Sequence, residues 1–514
     1  MPPSRVSPVA APSSRSSSPS TESTLRHACK TLLQLVRNAV VSVAAAWGTA
    51  TLCSLGSLAA PVAAQSYDAF LLSTLLYSQF FFCAIGTWLT AVSFTALRFR
   101  SRRSSSAATA TATATPLWYC CLCIARHAWP FYVVAVALMV SITMGCAATK
   151  RCPLRAFKIE YYLGCLAQYV YLVGLGLVAR FVFKRETVEG GQTTATRPRP
   201  SHSKRQPPED PQLQPPSSTP RVRLLHRWPR VALAYLPFLL SFVAAVAYIQ
   251  LLSAQVVDSE LKLVALLVGN LLVKMLVQRV LKRSMLRVNI RHVRSMLLLV
   301  GFPTVLIDTQ LRVILQRVPS VRLTFQGSVL LALLEIAVRV LKARLLSRQI
   351  ARLDEQASAL TDTPVVPVGA RMPRPPSQGQ LARTRRQLLA YRSAELYADM
   401  SAEYIAMGCA AALLVVYWDH PKYRLGALVA SHIHTSGRAP ALVVQRWNKQ
   451  QTGALLVQFI MELAVDLVAC VVEIAHGVTF FEVRKQGVYV ALLFVATAVA
   501  NVMVSAVIYL RFDD

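Results

Sequence analysis

Long apolar stretches alternate with short polar or Arg-rich segments along most of this chain. Several stretches reach roughly the 20 residues that a helix needs to cross the hydrocarbon core of a bilayer. They lie near 39–60, 69–97, 130–148, 161–179, 231–252, 453–475 and 487–510. The pattern predicts an all-α, polytopic helical membrane protein with roughly 8–11 transmembrane helices and disordered basic cytoplasmic linkers.

The apolar pattern weakens between 261 and 345, where charged residues or a proline interrupt it. The segments are 261–281 with Lys262 and Lys274, 296–315 with Pro303, Asp308 and Arg312, and 325–341 with Glu335 and Arg339. They are either three tilted crossings lined by protein or one crossing beside interfacial or re-entrant helices. An acidic turn at 253–260 and a basic region at 339–392 favour an odd number of crossings between them.

Segments rich in Pro, Gln, Ser and Thr divide the chain, and this composition is typical of disorder and of flexible linkers. The predicted organisation is a disordered N-terminal tail (1–30), an N-terminal four-helix transmembrane region (31–185), a disordered Pro-rich linker (186–225), central transmembrane or interfacial helices (226–352), a second Pro-rich linker (353–380) and a C-terminal transmembrane region (381–514). Within the last region a helix is expected from about Gln380 to Trp418, whereas 419–452 fits no element.

Charge is concentrated in a few places, and five segments carry +30 of the formal net charge of +31. They are 1–38, 98–128, 180–230, 279–294 and 339–392. Because basic loops stay in the cytoplasm, we expect a cytoplasmic N-terminus in either the plasma membrane or an endomembrane. The basic runs interrupt apolar segments and form no folded patch with interleaved aromatics, so the expected partner is a bilayer with anionic headgroups rather than nucleic acid.

Three acids fall within the apolar segment 453–475. At 100° per residue, Asp466 lies about 40° and Glu473 about 20° round the helix from Glu462, so all three share one face. Carboxylates at bilayer depth face a cavity or a partner, because lipid does not solvate them. This face is either a cation or proton site or the acidic half of ion pairs with Lys262, Lys274, Arg312 or Arg339 that only fix helix register.

A second set of acids, Glu395, Asp399 and Glu403, recurs every fourth residue. One interpretation makes this acidic stripe the mouth of the same pathway. The other makes it a solvated helix face that meets the neighbouring basic residues. Those residues are Arg383, Arg385, Arg386 and Arg392.

A basic ridge follows the first interrupted segment, with arginines at every fourth position and one more behind. Its members are Arg279, Arg283, Arg287, Arg291 and Arg294. Apolar residues between them indicate a helix that lies on anionic lipid. A voltage sensor would need its arginines inside an apolar crossing, which this run does not provide.

Cysteines and histidines give weaker signals. Cys120, Cys121 and Cys123 lie beside an apolar span and are candidates for S-acylation, whereas zinc binding with His127 is disfavoured because the cysteines lack the usual paired spacing. His432 and His434, near His420, suit a polar loop better than a metal site. We therefore expect no metal and no cofactor.

Function is not encoded in any motif that we find, and without a P-loop, His-Glu-x-x-His or Gly-x-Ser-x-Gly motif nothing supports an enzyme directly, so an unfamiliar membrane enzyme ranks last among the hypotheses. The first hypothesis is a transporter or channel-like protein whose acidic site binds a small cation, a proton or a coupled solute. The alternative is a non-catalytic membrane organiser whose Arg-rich segments bind anionic lipid or an acidic cytoplasmic partner. Acids that line a wet cavity would favour transport, whereas acids that each meet a Lys or Arg would favour the organiser.

Overall fold

A computed structural model describes residues 21–95, 97, 99, 115–148, 158–188, 228–253, 259–288, 293–317, 321–362, 378–423, 425, 440–475, 478–480, 483 and 485–511. Within these ranges the chain forms eleven α-helices. They are α1 (Thr21–Leu55), α2 (Tyr67–Phe94), α3 (Leu117–Ala148), α4 (Ile159–Glu186), α5 (Trp228–Ser253), α6 (Glu260–Val288), α7 (Val293–Arg317), α8 (Val321–Asp362), α9 (Gln378–Tyr417), α10 (Pro440–Ala475) and α11 (Gly487–Ile508).

The predicted fold class is confirmed, because the described residues form helices and no strands. Six helices are long and apolar enough to cross a membrane by length and composition, as expected of a helical membrane protein. They are α1, α2, α3, α4, α9 and α11. The larger count of roughly 8–11 crossings therefore stays a prediction for the helices that carry more charge.

Helices extend further than the apolar stretches alone indicate. Helix α1 begins at Thr21, inside the predicted disordered tail 1–30, because Ala28, Leu32 and Leu35 already pack into the core. Helix α8 continues to Asp362, so its last residues occupy the start of the predicted linker 353–380. Residues 1–20, most of the linker 186–225 and residues 363–377 lie outside the described residues.

The centre of the molecule is the pair α7 and α9, which pack along each other and are surrounded by α1, α5, α6, α8, α10 and α11. Residues 301–315 of α7 and 391–407 of α9 are buried almost throughout. Burial by protein explains why α7 tolerates Asp308 and Arg312, since neighbouring side chains can satisfy charges that lipid cannot. The weak region 261–345 is therefore three helices, α6, α7 and α8, of which α7 is enclosed by protein.

Helices α3 and α4 form an antiparallel pair with close backbone contacts. A Cβ added at Gly174 of α4 would overlap Phe131 of α3, and one added at Gly176 would lie 3.0 Å from the ring of Tyr235 in α5. The small residues at 174–179 thus permit close helix packing, as their position inside an apolar span indicates.

Candidate functional site

The charged residues that interrupt the apolar pattern converge between α6, α7, α8, α9 and α10. We call this set the buried charge network. Its members are Lys274, Asp308, Arg312, Glu335, Arg339, Lys342, Arg392, Glu395, Asp399, Glu403, Glu462, Asp466 and Glu473. Only Lys342 is more than a tenth exposed, with 20% of its side chain accessible.

Helical spacing produces this convergence. Helix α6 contributes Lys274 alone, and each of the other four helices carries its charges three, four or seven residues apart, as in Glu335 and Arg339 of α8 and in the acidic stripe of α9. Residues at these spacings lie on one face of a helix, so each helix turns a single charged face inward and keeps apolar residues elsewhere.

One end of the network joins α6, α7 and α10. The Lys274 ammonium lies 2.8 Å from Oδ2 of Asp308. The Arg312 guanidinium donates to Oε1 of Glu462, across from α7 to α10. Both ion pairs are almost fully buried. Each charged group therefore relies on its partner, rather than on water, to offset the cost of burial.

Arg339 occupies the middle of the network and bridges two helices. Its Nη1 donates to Oδ1 of Asp466 at 2.6 Å. Its Nη2 donates to both carboxylate oxygens of Glu403, at 2.6 and 2.8 Å. One guanidinium thereby fastens α8 to α9 and α10 through charge-assisted hydrogen bonds.

The other end joins α6, α8, α9 and α10. Lys342 donates to Oε1 of Glu395 at 3.0 Å and lies 3.7 Å from Oδ2 of Asp399. Gln278 of α6 links the two sides, since it donates to Asp399 at 2.7 Å and accepts from Lys342 at 2.8 Å. Arg392 completes this end.

The Arg392 guanidinium contacts Glu395 at 3.3 Å and also donates to Oε1 of Glu473. Each of the three acids predicted on the face of 453–475 therefore meets an arginine: Glu462 meets Arg312, Asp466 meets Arg339, and Glu473 meets Arg392. By the criterion set from the sequence, these three contacts favour the ion-pair interpretation.

Two details of the predicted pairing are wrong. Lys262 is exposed at the start of α6 and lies outside the network, because twelve residues of helix place it about 18 Å from Lys274. The acidic stripe is not a solvated face, since Glu395, Asp399 and Glu403 are all buried. Of the four arginines expected to meet the stripe, Arg392 does so; Arg385 instead lies 3.6 Å from exposed Asp354, and Arg383 and Arg386 are exposed.

Charge in the network does not balance. It contains eight carboxylates and five cationic side chains, an excess of three negative charges if all are ionised. Half-buried Lys282, whose ammonium lies 5.1 Å from the ring centre of Tyr391, reduces the excess to two. A low-dielectric interior does not sustain uncompensated charge, so protons or bound cations must neutralise it.

The excess is concentrated where Glu335, Glu403 and Glu462 meet. One carboxylate oxygen from each lies within 4.8 Å of the others, and all three residues are buried. Oε2 of Glu335 and Oε2 of Glu462 have no hydrogen-bond partner among the described residues, and Glu335 makes no salt bridge there. The sequence names Glu335 only as an interruption of 325–341, because a single helix pattern does not show which helices bring other acids to it.

The remaining predicted sites are only partly described. Arg279 and Arg283 of the basic ridge are exposed on α6, whereas the side chains of Arg287 and Arg294 and the whole of Arg291 lie outside the described residues. Cys120 is fully buried, so only Cys121 and Cys123 offer partly accessible thiols for S-acylation. His432 and His434 lie outside the described residues.

Comparison with other proteins adds no relative to this picture. No protein-family model, no curated protein and no solved structure matches this chain.

Proposed function

We propose that this protein is a transporter or channel-like membrane protein in which Glu335, Glu403 and Glu462 form an intramembrane site for a small cation or for protons. The carrying observation is the excess of negative charge at these three buried carboxylates, two of which have an oxygen without a hydrogen-bond partner. The site differs from the predicted one: Glu335 and Glu403 join Glu462 in it, whereas Asp466 and Glu473 lie outside the three carboxylates whose oxygens come within 4.8 Å of one another.

The arginines allow binding at this site to change the contacts between helices. Arg312 and Arg339 each hold one member of the trio, Glu462 and Glu403 respectively, while Glu335 pairs with neither. Binding of a cation, or of a proton, at the trio weakens the attraction between these acids and their arginines. Helices α8 and α10 would then separate from α7 and α9, which couples occupancy of the site to movement of helices.

The proposal places the N-terminus in the cytoplasm, because the basic segments would then lie on one side of the membrane. It assigns no catalytic role, since the sequence contains no P-loop, His-Glu-x-x-His or Gly-x-Ser-x-Gly motif that would support one.

Ion flux into liposomes tests this proposal. The purified protein would be reconstituted, and uptake of protons, Na⁺, K⁺ and Ca²⁺ would be followed separately with ion-selective dyes. We expect flux of one of these ions and at least a tenfold loss in Glu335→Gln. Glu355→Gln, an exposed acid on the same helix, is the matched control and should behave as wild type. No flux in the wild type, or equal flux in both variants, would overturn the proposal.

The membrane organiser remains the second candidate, and two observations favour it. The three acids of 453–475 are each paired with an arginine, and Arg279 and Arg283 are exposed on α6. An organiser should be stabilised against heat by phosphatidylserine more than by phosphatidylcholine, with an effect that falls as salt rises. Equal stabilisation by both lipids at low salt would exclude this function.

A further inference from the structure

A second cluster of chemically distinctive side chains lies far from the buried charge network, at the end of the antiparallel pair α3 and α4. Cys123 and His127 come from α3, and Glu186 is the last residue of α4. The Cys123 thiol donates to Oε2 of Glu186 at 3.0 Å, and Nε2 of His127 lies 3.3 Å from Oε1 of the same carboxylate. One potential ligand atom from each residue lies within 4.8 Å of the others.

Helix geometry fixes these three groups in place. Cys123 and His127 are four residues apart and therefore point from the same face of α3. The close contact of Gly174 with Phe131 holds α4 against this face, which brings the end of α4 to the level of Cys123. Phe181 of α4 packs edge-on against the His127 ring, with 5.2 Å between the ring centres, and so fixes the orientation of the imidazole.

The donor set is characteristic of a borderline transition metal. A thiolate, an imidazole and a carboxylate are the three ligand types that zinc uses in proteins, and bond lengths of about 2.0–2.3 Å place tetrahedral donors roughly 3.3–3.6 Å apart. The two distances from Glu186 are within about half an ångström of that range. Because these distances run to different oxygens of Glu186 and the ligand atoms lie up to 4.8 Å apart, the side chains must draw together when the metal binds.

The surroundings select the kind of metal. Arg126 directly precedes His127 in α3, and the Arg185 guanidinium lies 5.1 Å from the ring centre of Phe181, which packs on His127. These positive charges oppose a site that depends on charge alone, as sites for Mg²⁺ and Ca²⁺ do. A site with thiolate and imidazole ligands gains enough from metal–ligand bonding to tolerate them, and it favours zinc-like ions.

We propose that Cys123, His127 and Glu186 bind one Zn²⁺ ion, with a fourth coordination position open to water or another ligand. On binding, the Cys123 thiol loses its proton to solvent, Sγ and Nε2 bond to the metal, and a Glu186 oxygen exchanges its hydrogen bond for a metal bond. About a third of the His127 and Glu186 side chains is accessible, which gives the ion a path to the site. The same cluster without metal is a hydrogen-bonded clamp between α3 and α4, and the two states are distinguishable by experiment.

Cobalt serves as the spectroscopic probe. The detergent-purified full chain would be stripped with a chelator and titrated with Co²⁺, and the near-ultraviolet thiolate-to-cobalt charge-transfer band would be followed. Zn²⁺ would then be added in competition. We expect one Co²⁺ per chain, a thiolate band, and displacement of Co²⁺ by one equivalent of Zn²⁺.

Variants locate the binding residues. Cys123→Ser should abolish the thiolate band, and His127→Gln and Glu186→Gln should each weaken Zn²⁺ affinity at least tenfold. Cys121→Ser changes a neighbouring thiol outside the cluster and should leave band and affinity unchanged. Size-exclusion profiles of all variants establish that they fold. Absence of a thiolate band in the wild type, or its persistence in folded Cys123→Ser, would overturn the proposal. Because metal binding is measured directly, the result is independent of any ion flux.

Discussion

Arg339 is the residue on which the buried charge network depends most. It neutralises two acids from two different helices, Glu403 of α9 and Asp466 of α10, and it is itself almost fully buried. Forming such a bridge contributes little net stability, because desolvation of the charges offsets their attraction. Removing the arginine has a much larger effect, since both acids then remain buried without their cation.

We predict that Arg339→Leu lowers the free energy of unfolding by about 3–5 kcal/mol, the usual cost of leaving a buried charge without its partner. Arg348→Leu is the matched control, because Arg348 is exposed on the same helix and its loss should change stability by no more than about 0.5 kcal/mol. Unfolding midpoints in detergent compare the two. Adding Glu403→Gln to Arg339→Leu should recover part of the loss, and equal midpoints for the two single variants would contradict this account.

His420 closes a helix end in a way that requires its neutral form. The backbone N–H of Lys422 donates to Nδ1 at 3.2 Å, so the ring proton is on Nε2, which donates at 2.7 Å to the carbonyl of Ser54 near the end of α1. Burial lowers the pKa of His420 below its ordinary value, and the positive charge of Lys422 acts in the same direction, while the Ser54 carbonyl opposes them. The rings of Phe70 and Tyr423 pack against the imidazole of His420, with 5.9 and 4.9 Å between ring centres.

This arrangement predicts that the free energy of unfolding decreases as the pH is lowered. An unfolded histidine takes up a proton near its ordinary pKa of about 6.5, whereas the folded one resists until a lower pH. The contribution of His420 is therefore present above about pH 6.5 and is lost as pH falls from there toward the pKa of the folded state. Between pH 7.5 and 5.5 the thermal midpoint of the wild type should fall by about 1–2 °C more than that of His420→Gln. Parallel pH profiles would show that His420 does not titrate as described.

The all-helical fold and the approximate positions of many helices could be predicted from the sequence, because apolar stretches of membrane length are a strong signal. Helices α2, α4, α5 and α11 lie close to the predicted spans. Starts and ends were less predictable, as at Thr21 of α1 and Pro440 of α10, since polar residues continue a helix once tertiary packing supports it.

The candidate site could be predicted only in part, because helical periodicity shows which residues share a face but not which helices are neighbours. Periodicity placed Glu462, Asp466 and Glu473 on one face, and charge identified Arg312 and Arg339 as partners of the first two. Lys274 was expected to meet one of these acids but pairs with Asp308, and Arg392 is the partner of Glu473. Periodicity did not reveal that Glu335 joins Glu403 and Glu462, nor that Glu186 comes to Cys123 and His127. These contacts depend on which helices are neighbours, and a pattern within one helix carries no information about that.

The packing of α1 on α9 depends on one residue without a side chain. A Cβ added at Gly408 of α9 would overlap the side chain of Val43 in α1, so these helices are closer there than any larger residue allows. Gly48, also on α1, has no atom within 4 Å of the corresponding position and is an internal control.

We predict that Gly408→Ala destabilises the protein by about 1–3 kcal/mol through overpacking, although alanine is the better helix former. Gly48→Ala should be neutral or slightly stabilising, by up to about 1 kcal/mol. Val43→Ala combined with Gly408→Ala should restore part of the loss, because it removes the two methyl groups that clash most, while the Val43 Cβ stays 2.9 Å from the added Cβ. Additive losses in the double variant would mean that the two residues do not meet.

The whole molecule separates its charges by location. Five basic segments, several of which continue into the ends of helices, account for +30 of the net charge of +31, whereas the buried charge network has more acids than bases. Under the proposed function, the first arrangement would orient helices relative to the cytoplasm, and protons or cations would neutralise the second. Both arrangements depend on how many of the charged helices cross the membrane. Helix α7 is the critical case, because protein encloses it almost completely and its own charge pattern does not show whether it crosses.

Tags inserted between the charged helices determine that count. If α6, α7 and α8 each cross, epitopes at 256, 290, 319 and 370 must alternate between the two sides of the membrane, with 290 and 370 in the cytoplasm beside the basic segments 279–294 and 339–392. An epitope at 200 should share the side of 370, since four helices, α5 to α8, lie between them. Protease protection in sealed microsomes reads each tag separately, and an N-terminal tag reports the cytoplasmic side. Tags at 290 and 319 on the same side would mean that α7 does not cross and that the acidic trio lies near one membrane surface, where water would solvate its charges without a transported ion.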